Sequence, residues 1–349
     1  MSCYLRFVFI ASLMMFIIGC GGGKQSADKS NELGSSDGLQ KYLKNEPSVK
    51  SVRSWPSKFG EGLIIRTAHY EIYTTLKEPL MLRQVPGFVE SAYKAYQSQL
   101  TEKIETETLF TIYLFAERSQ WDEFTKDFTG PDSAIYLKIE RGAYYLNGSC
   151  IAYNIGRQQT FSVLGHEAWH QFSSRYFRYR LPSWLDEGIA MQYETPQYKS
   201  GFFEFAPTMN LNRLGTLKLA IADGKILPMQ TLITLNPGQV IMSGDNKDAA
   251  YFYAQAYATV RFLRESNYGK RQTKYNNMLL GGLHGTWPLD DNARSIAADR
   301  NIPMTAWNNA GISSAIFQYY IGDDFEAMDR EFMIFSGKVT KRIHVSVKK

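Results

Sequence analysis

The segment His166-Glu167-Ala168-Trp169-His170 constrains this chain more than any other part of it. It reads H-E-x-x-H. On a helix, residues four apart share one face, so the two imidazoles can reach one point. Rings so placed can grip a divalent metal ion, while Glu167 projects beside them toward a metal-bound water. The flanking residues supply the helix that this geometry needs. Phe161, Leu164, Ala168 and Phe172 keep helical spacing for a core-facing stripe. Thr160 is a candidate N-cap. The spacing predicts a helix over 160–177, and Pro182 stops or restarts the chain.

A third ligand follows in Leu181-Pro182-Ser183-Trp184-Leu185-Asp186-Glu187-Gly188. A second helix is expected from Ser183, which can cap it. Glu187, seventeen positions after His170, then falls in its first turns and faces the first helix. His166, His170 and Glu187 together make three ligands and leave a fourth position open, the catalytic form of zinc site, with Glu167 as general base. Asp186 lies about 100° around the helix from Glu187, so the two do not both bind the metal. It either holds a ligand histidine by its other ring nitrogen or is a solvated surface carboxylate. Glu194 is expected to face solvent. His69, His284 and His344 lack ligand-like spacing and read as structural or surface residues.

These segments resemble the gluzincin metallopeptidases, in which a helix with H-E-x-x-H is followed by a helix bearing a ligand Glu. Trp184-Leu185-Asp186-Glu187-Gly188-Ile189-Ala190 is similar to their W-L-x-E-G-x-A segment. The resemblance implies a zincin-like fold, a Zn2+ cofactor, His166, His170 and Glu187 as ligands, and Glu167 as base. A weaker likeness covers 251–263. It implies that a tyrosine there donates to the tetrahedral oxyanion. Tyr253 is the candidate, with Tyr251 and Tyr257 close enough to compete. The whole chain resembles bacterial lipoproteins with a peptidase MA-like domain.

The first nineteen residues read as a signal peptide. Arg6 supplies the positive start, and Phe7–Ile18 is an apolar run too short for a comfortable membrane span. Ile17-Ile18-Gly19-Cys20 resembles a bacterial lipobox, which implies that Cys20 is acylated and anchors the protein. Losing Arg6 with the signal takes the formal charge from +5 to about +4, too mild to argue for nucleic acid. Of three cysteines, only Cys150 would remain unmodified. It is expected to be a buried free thiol, and no intramolecular disulfide can form.

The expected fold class is α+β and zincin-like: a mixed sheet plus an active-site helix, followed by a mainly helical C-terminal subdomain. Residues 20–60 read as the lipidated cysteine and a flexible tether, with order beginning near Leu63. Residues 61–200 form the subdomain with the zinc helix, and 201–340 the helical one. Strands are expected at Leu63–Thr75, Leu109–Phe115, Ser133–Ile139 and Ala143–Ile155, the last broken by the hairpin signal Asn147-Gly148. Helices are expected at Pro79–Leu100 and Ala116–Phe128. Ser149–Tyr153 is either an edge strand to which a peptide could add or a plain inner strand. Beyond Gly201, helices are expected at Leu211–Ala222, Met229–Thr234, Ala249–Ser266, Thr273–Leu280 and Asp323–Phe335, with a basic tail fraying from Gly337.

The composition, 44% hydrophobic and 14% aromatic over 349 residues, is ample for a packed core. The expected function is a membrane-anchored zinc peptidase of the bacterial envelope that acts on a polypeptide substrate, with no nucleic-acid partner. Two other readings stay open. One is a non-catalytic envelope lipoprotein that uses the same scaffold to bind peptide or cell-wall polymer. The other is a zinc hydrolase of a cell-wall amide.

Overall fold

The computed structural model describes residues 36–344, apart from 106, 141 and 243–245. The signal segment, Cys20 and the first part of the expected tether, through residue 35, lie outside the described residues. Among the described residues, no helix is long and apolar enough to cross a membrane.

Order begins earlier than Leu63. Helix α1 (Ser36–Leu43) seats Leu39 and Leu43 in the core, an i, i+4 pair too short to register as a periodic pattern. Strands β1 (Ser51–Ser57), β2 (Gly60–Arg66) and β3 (Tyr70–Thr74) follow as an antiparallel meander. Strand β1 is an outer strand with little buried surface, so its sequence reads as polar linker. The single strand expected at Leu63–Thr75 is two, folded back between Arg66 and Tyr70. Then come α2 (Pro79–Gln97), β4 (Phe110–Phe115), α3 (Arg118–Thr129), the one-turn α4 (Ser133–Tyr136), β5 (Ala143–Leu146) and β6 (Ser149–Tyr153).

The expected strand at Ser133–Ile139 is therefore a helical turn. Apolar residues there serve a small second core, where Tyr136 and Ile139 pack with Trp121, Tyr144 and Ile151. The carbonyls freed at the end of the turn are taken by Arg118, whose guanidinium donates to those of Leu137, Ile139 and Glu140.

The six strands form one mixed sheet in the order β1-β2-β3-β4-β6-β5. Strand β6 lies between β4, to which it is parallel, and β5, to which it is antiparallel. Of the two expectations for Ser149–Tyr153, the inner strand is the one observed, and β5 is the edge. Cys150 is fully buried on β6. The hairpin turns at Asn147 and Gly148, both at positive φ.

Helices α5 (Arg157–Tyr176) and α6 (Ser183–Ala190) come next, then the hairpin β7 (Pro196–Lys199) and β8 (Phe202–Phe205). Helix α5 starts one turn before Thr160. The Thr160 hydroxyl is buried, accepting from the Ile155 N–H and donating to the Gly156 carbonyl.

The rest is helical: α7 (Leu211–Ala222), α8 (Met229–Thr234), α9 (Pro237–Met242), α10 (Asn246–Gly269), α11 (Gln272–His284), α12 (Asp291–Ala298), α13 (Ala306–Tyr320) and α14 (Phe325–Thr340). Helices α12 and α13 have no counterpart in the sequence reading. Helix α14 runs beyond Gly337, because Val339 and Thr340 continue its packed face.

Helices α2 and α5 lie side by side on one face of the sheet. The main core between them is continuous with that of the C-terminal helices. Tyr96 of α2 donates its hydroxyl to the Gly165 carbonyl at 2.7 Å. That close approach holds α5 one residue before His166.

Candidate metal centre

Helix α5 is nearly all buried from Thr160 to Ser173, which places His166, Glu167 and His170 inside the protein. Gly165 makes this possible. A Cβ there would lie 2.5 Å from the Tyr193 carbonyl oxygen. Helix α6 returns across α5 after the connection at 177–182. Gly188 lets α6 sit on α10, since a Cβ there would meet the Ala256 carbonyl oxygen and Val260 Cγ2, each at 2.6 Å. Substituting Gly188→Ala is expected to lower the unfolding free energy by about 1–3 kcal/mol, the usual cost of overpacking. Chemical denaturation measures this, and an unchanged midpoint would show that α6 and α10 separate freely.

The chain turns bring three donors together. His166 Nε2 lies 3.3 Å from Glu187 Oε2, and His170 Nε2 lies 3.7 Å from Glu187 Oε1. The three candidate ligand atoms all lie within 4.8 Å of one another. The opposite ring nitrogens are tied down. His170 Nδ1 is 3.0 Å from Asp186 Oδ2, and Asp186 Oδ1 accepts from Trp169 Nε1 at 2.7 Å and Ser173 Oγ at 3.1 Å. His166 Nδ1 is 3.1 Å from Glu194 Oε1. A carboxylate at each Nδ1 favours a proton there, which leaves the Nε2 lone pairs pointing at the common space.

Glu194 is thus not a solvent-facing residue. It is buried, and it accepts from Asn210 Nδ2 at 2.8 Å and from Arg213 Nε at 2.9 Å and Nη2 at 2.6 Å. After Ala190 the chain tightens into a 3-10 turn over Met191–Tyr193, which swings Glu194 back toward His166. Because this turn breaks the α-helical register after Ala190, the seven-residue distance from Glu187 does not by itself locate Glu194. Arg213, on α7, had no local signal. It arrives only through tertiary packing.

The electrostatics follow from burial and pairing. Burial alone would raise the Glu194 carboxyl, but the Arg213 guanidinium and His166 hold it far below the usual carboxylate range. Burial would lower His166, but the facing carboxylates of Glu187 and Glu194 push it up to about 10. Glu167 moves the other way from an ordinary carboxylate. Burial pushes it up to about 7, against the pull of His166 and His170.

The donor set fits a divalent cation. His166 Nε2 and both Glu187 oxygens are buried, with no hydrogen-bond partner among the described residues. A buried carboxylate left in this way is costly unless a cation faces it. A metal between the rings would favour neutral imidazoles and charged carboxylates, reversing the shifts at His166 and Glu167. Two imidazoles and one carboxylate suit zinc and several other first-row ions.

The three candidate tyrosines of α10 separate. Tyr251 donates to Asp223 Oδ2 at 2.6 Å, and Tyr257 donates to the Pro207 carbonyl and accepts from Arg261. Tyr253 is buried, with the Arg213 guanidinium 5.7 Å from its ring centroid. Burial, then the charge of Glu187, push its hydroxyl well above the usual range. The other histidines lie elsewhere. His69 stacks on Tyr93 and pairs with Glu90, and His284 pairs with Glu102.

A scan against protein-family models finds no match, and no curated protein matches the chain. What this centre can do has to follow from its geometry.

Proposed function

We propose that the protein is a zincin-like zinc peptidase. The observation that carries this reading is the buried convergence of His166 Nε2, His170 Nε2 and the Glu187 carboxylate, with Glu167 next to them on α5. A scaffold that only binds has no physical need for a carboxylate at Glu167. Zinc, held by His166, His170 and Glu187, would supply a positive charge that acidifies water and polarises a carbonyl.

The chain's own residues do the rest. Asp186 and Glu194 orient the two rings and keep their protons on Nδ1. Glu167 accepts a proton from the attacking water and returns it to the leaving nitrogen. Tyr253 donates its hydroxyl to the developing oxyanion. Ala143 of the edge strand β5 lines a small pocket with His166 and Glu167. A polypeptide that joins the sheet near the centre would add to the edge strand β5, since β6 is an inner strand. Acylation of Cys20 would hold the enzyme at the surface of a bacterial envelope membrane.

The test is metal content together with turnover. The chain from Gly21, loaded with zinc and freed of excess, is expected to retain one zinc per chain and to cleave unfolded casein. Removal of the metal by a chelator is expected to stop cleavage, and added zinc to restore it. A folded sample that retains no zinc overturns the reading.

A further inference from the structure

Helix α14 packs one face into the core through Met328, Phe332, Phe335, Ser336 and Thr340. Its opposite stripe, Arg330, Met333, Ile334, Lys338 and Lys341, is exposed. Arg330, Ile334, Lys338 and Lys341 share a face because successive members stand three or four apart, and Met333 sits beside it, three after Arg330. Met333 and Ile334 are large apolar side chains left 42% and 60% exposed. Lys338 and Lys341 stand beyond them on the stripe, and Arg330 before them pairs with the exposed Glu326 at 3.5 Å. After Glu331 the described chain carries Lys338, Lys341 and Arg342 and no acidic residue.

Next to this stripe stands a second apolar group. Tyr268 is fully exposed, held out by a turn in which it and Asn267 both take positive φ, 56° and 50°. Residues other than glycine adopt that conformation only at a cost. The turn is tied to α14, since Asn267 Nδ2 reaches Glu331 Oε2 at 3.4 Å and Lys270 Nζ lies 3.3 Å from Glu331 Oε1. Arg271 also pairs with Glu331, at 2.8 Å, so the acid nearest the patch is already neutralised.

We infer that this face docks on an anionic lipid surface. Lysines and arginines around exposed aliphatic and aromatic side chains are the pattern of an interfacial contact. The bases meet headgroup charge, and the apolar tips enter the headgroup–acyl boundary. A soluble polyanion would use the same bases but has no use for Met333, Ile334 and Tyr268. The inference is independent of the metal centre and of Cys20.

The experiment is flotation of the chain from Gly21, which contains every described residue and no acylation site. The vesicles are phosphatidylcholine alone, or equal parts phosphatidylcholine and phosphatidylglycerol. Binding is expected only to the second kind, and to weaken as salt is raised. The double variant Lys338→Glu/Lys341→Glu is expected to bind at least roughly tenfold more weakly. Met333→Ser/Ile334→Ser is expected to weaken binding severalfold at unchanged charge. Both pairs are exposed, and an unaltered melting curve checks that they fold. Two results overturn the inference. One is failure to float with phosphatidylglycerol. The other is binding that needs the lysines but ignores the Met333 and Ile334 changes, which marks a polyanion surface instead.

Discussion

The Glu167→Gln protein is expected to keep its zinc and lose its peptidase activity. The amide has nearly the shape of the carboxylate, so α5 keeps its packing and the two histidines keep their places. What disappears is the ability to take a proton. General-base assistance is worth roughly 10²–10⁴ in rate, and the loss in turnover should fall in or beyond that range. Burial pushes the Glu167 carboxyl up to about 7, so a proton can sit there near neutral pH. Zinc content by atomic emission and casein cleavage, measured on the same preparation, decide the matter. A Glu167→Gln protein that still cleaves at a rate near wild type removes Glu167 from the chemistry.

The second large effect concerns the three carboxylates around the rings. Glu187→Ala removes a donor placed 3.3 and 3.7 Å from the two Nε2 atoms, and zinc should no longer be retained after dialysis. Asp186→Ala and Glu194→Ala remove groups that hold Nδ1, and each is expected to weaken affinity by about 10–100-fold with binding still measurable. Competition with a chromogenic chelator ranks the three. A Glu187→Ala protein that binds zinc more tightly than Asp186→Ala would mean that the ligand carboxylate has been misassigned. The Glu194 change carries an extra signature, because it also strands the Arg213 guanidinium in a buried position. It should therefore lower thermal stability in the absence of zinc, where Asp186→Ala lowers it less.

The features legible in the sequence are those written in short spacings. The four-residue step from His166 to His170, and the helix restart after Pro182, place two rings and one carboxylate in one space. The same spacing sets Asp186 apart from Glu187 by one helical step and so against a different part of His170. Glu194 and Arg213 were beyond that reach. A 3-10 turn redirects the first, and the packing of α7 delivers the second. The tether showed the opposite weakness. Residues of β1 are polar because the strand sits at the sheet margin, and local composition does not distinguish a margin strand from a linker. At Ser133–Tyr136, apolar residues that suggest a strand instead cover the sheet from outside. Helix α12 is amphipathic but only eight residues long, and α13 carries weak periodicity because it packs against the helices α8, α11 and α12.

Helix α6 is fastened to the C-terminal helices. The Ser183 amide and hydroxyl both donate to Asn309 Oδ1, at 3.0 and 3.1 Å, and Trp184 Nε1 donates to Ser313 Oγ at 2.9 Å. The histidines, by contrast, ride on a helix laid against the sheet. Chelation would therefore clasp two layers of the molecule that were assembled from distant stretches of chain. How tightly a cation is gripped becomes a gauge of how rigidly those layers are joined. Loosening the joint at Asn309 or Ser313, with no donor atom touched, would then be felt first as a softer grip on the ion.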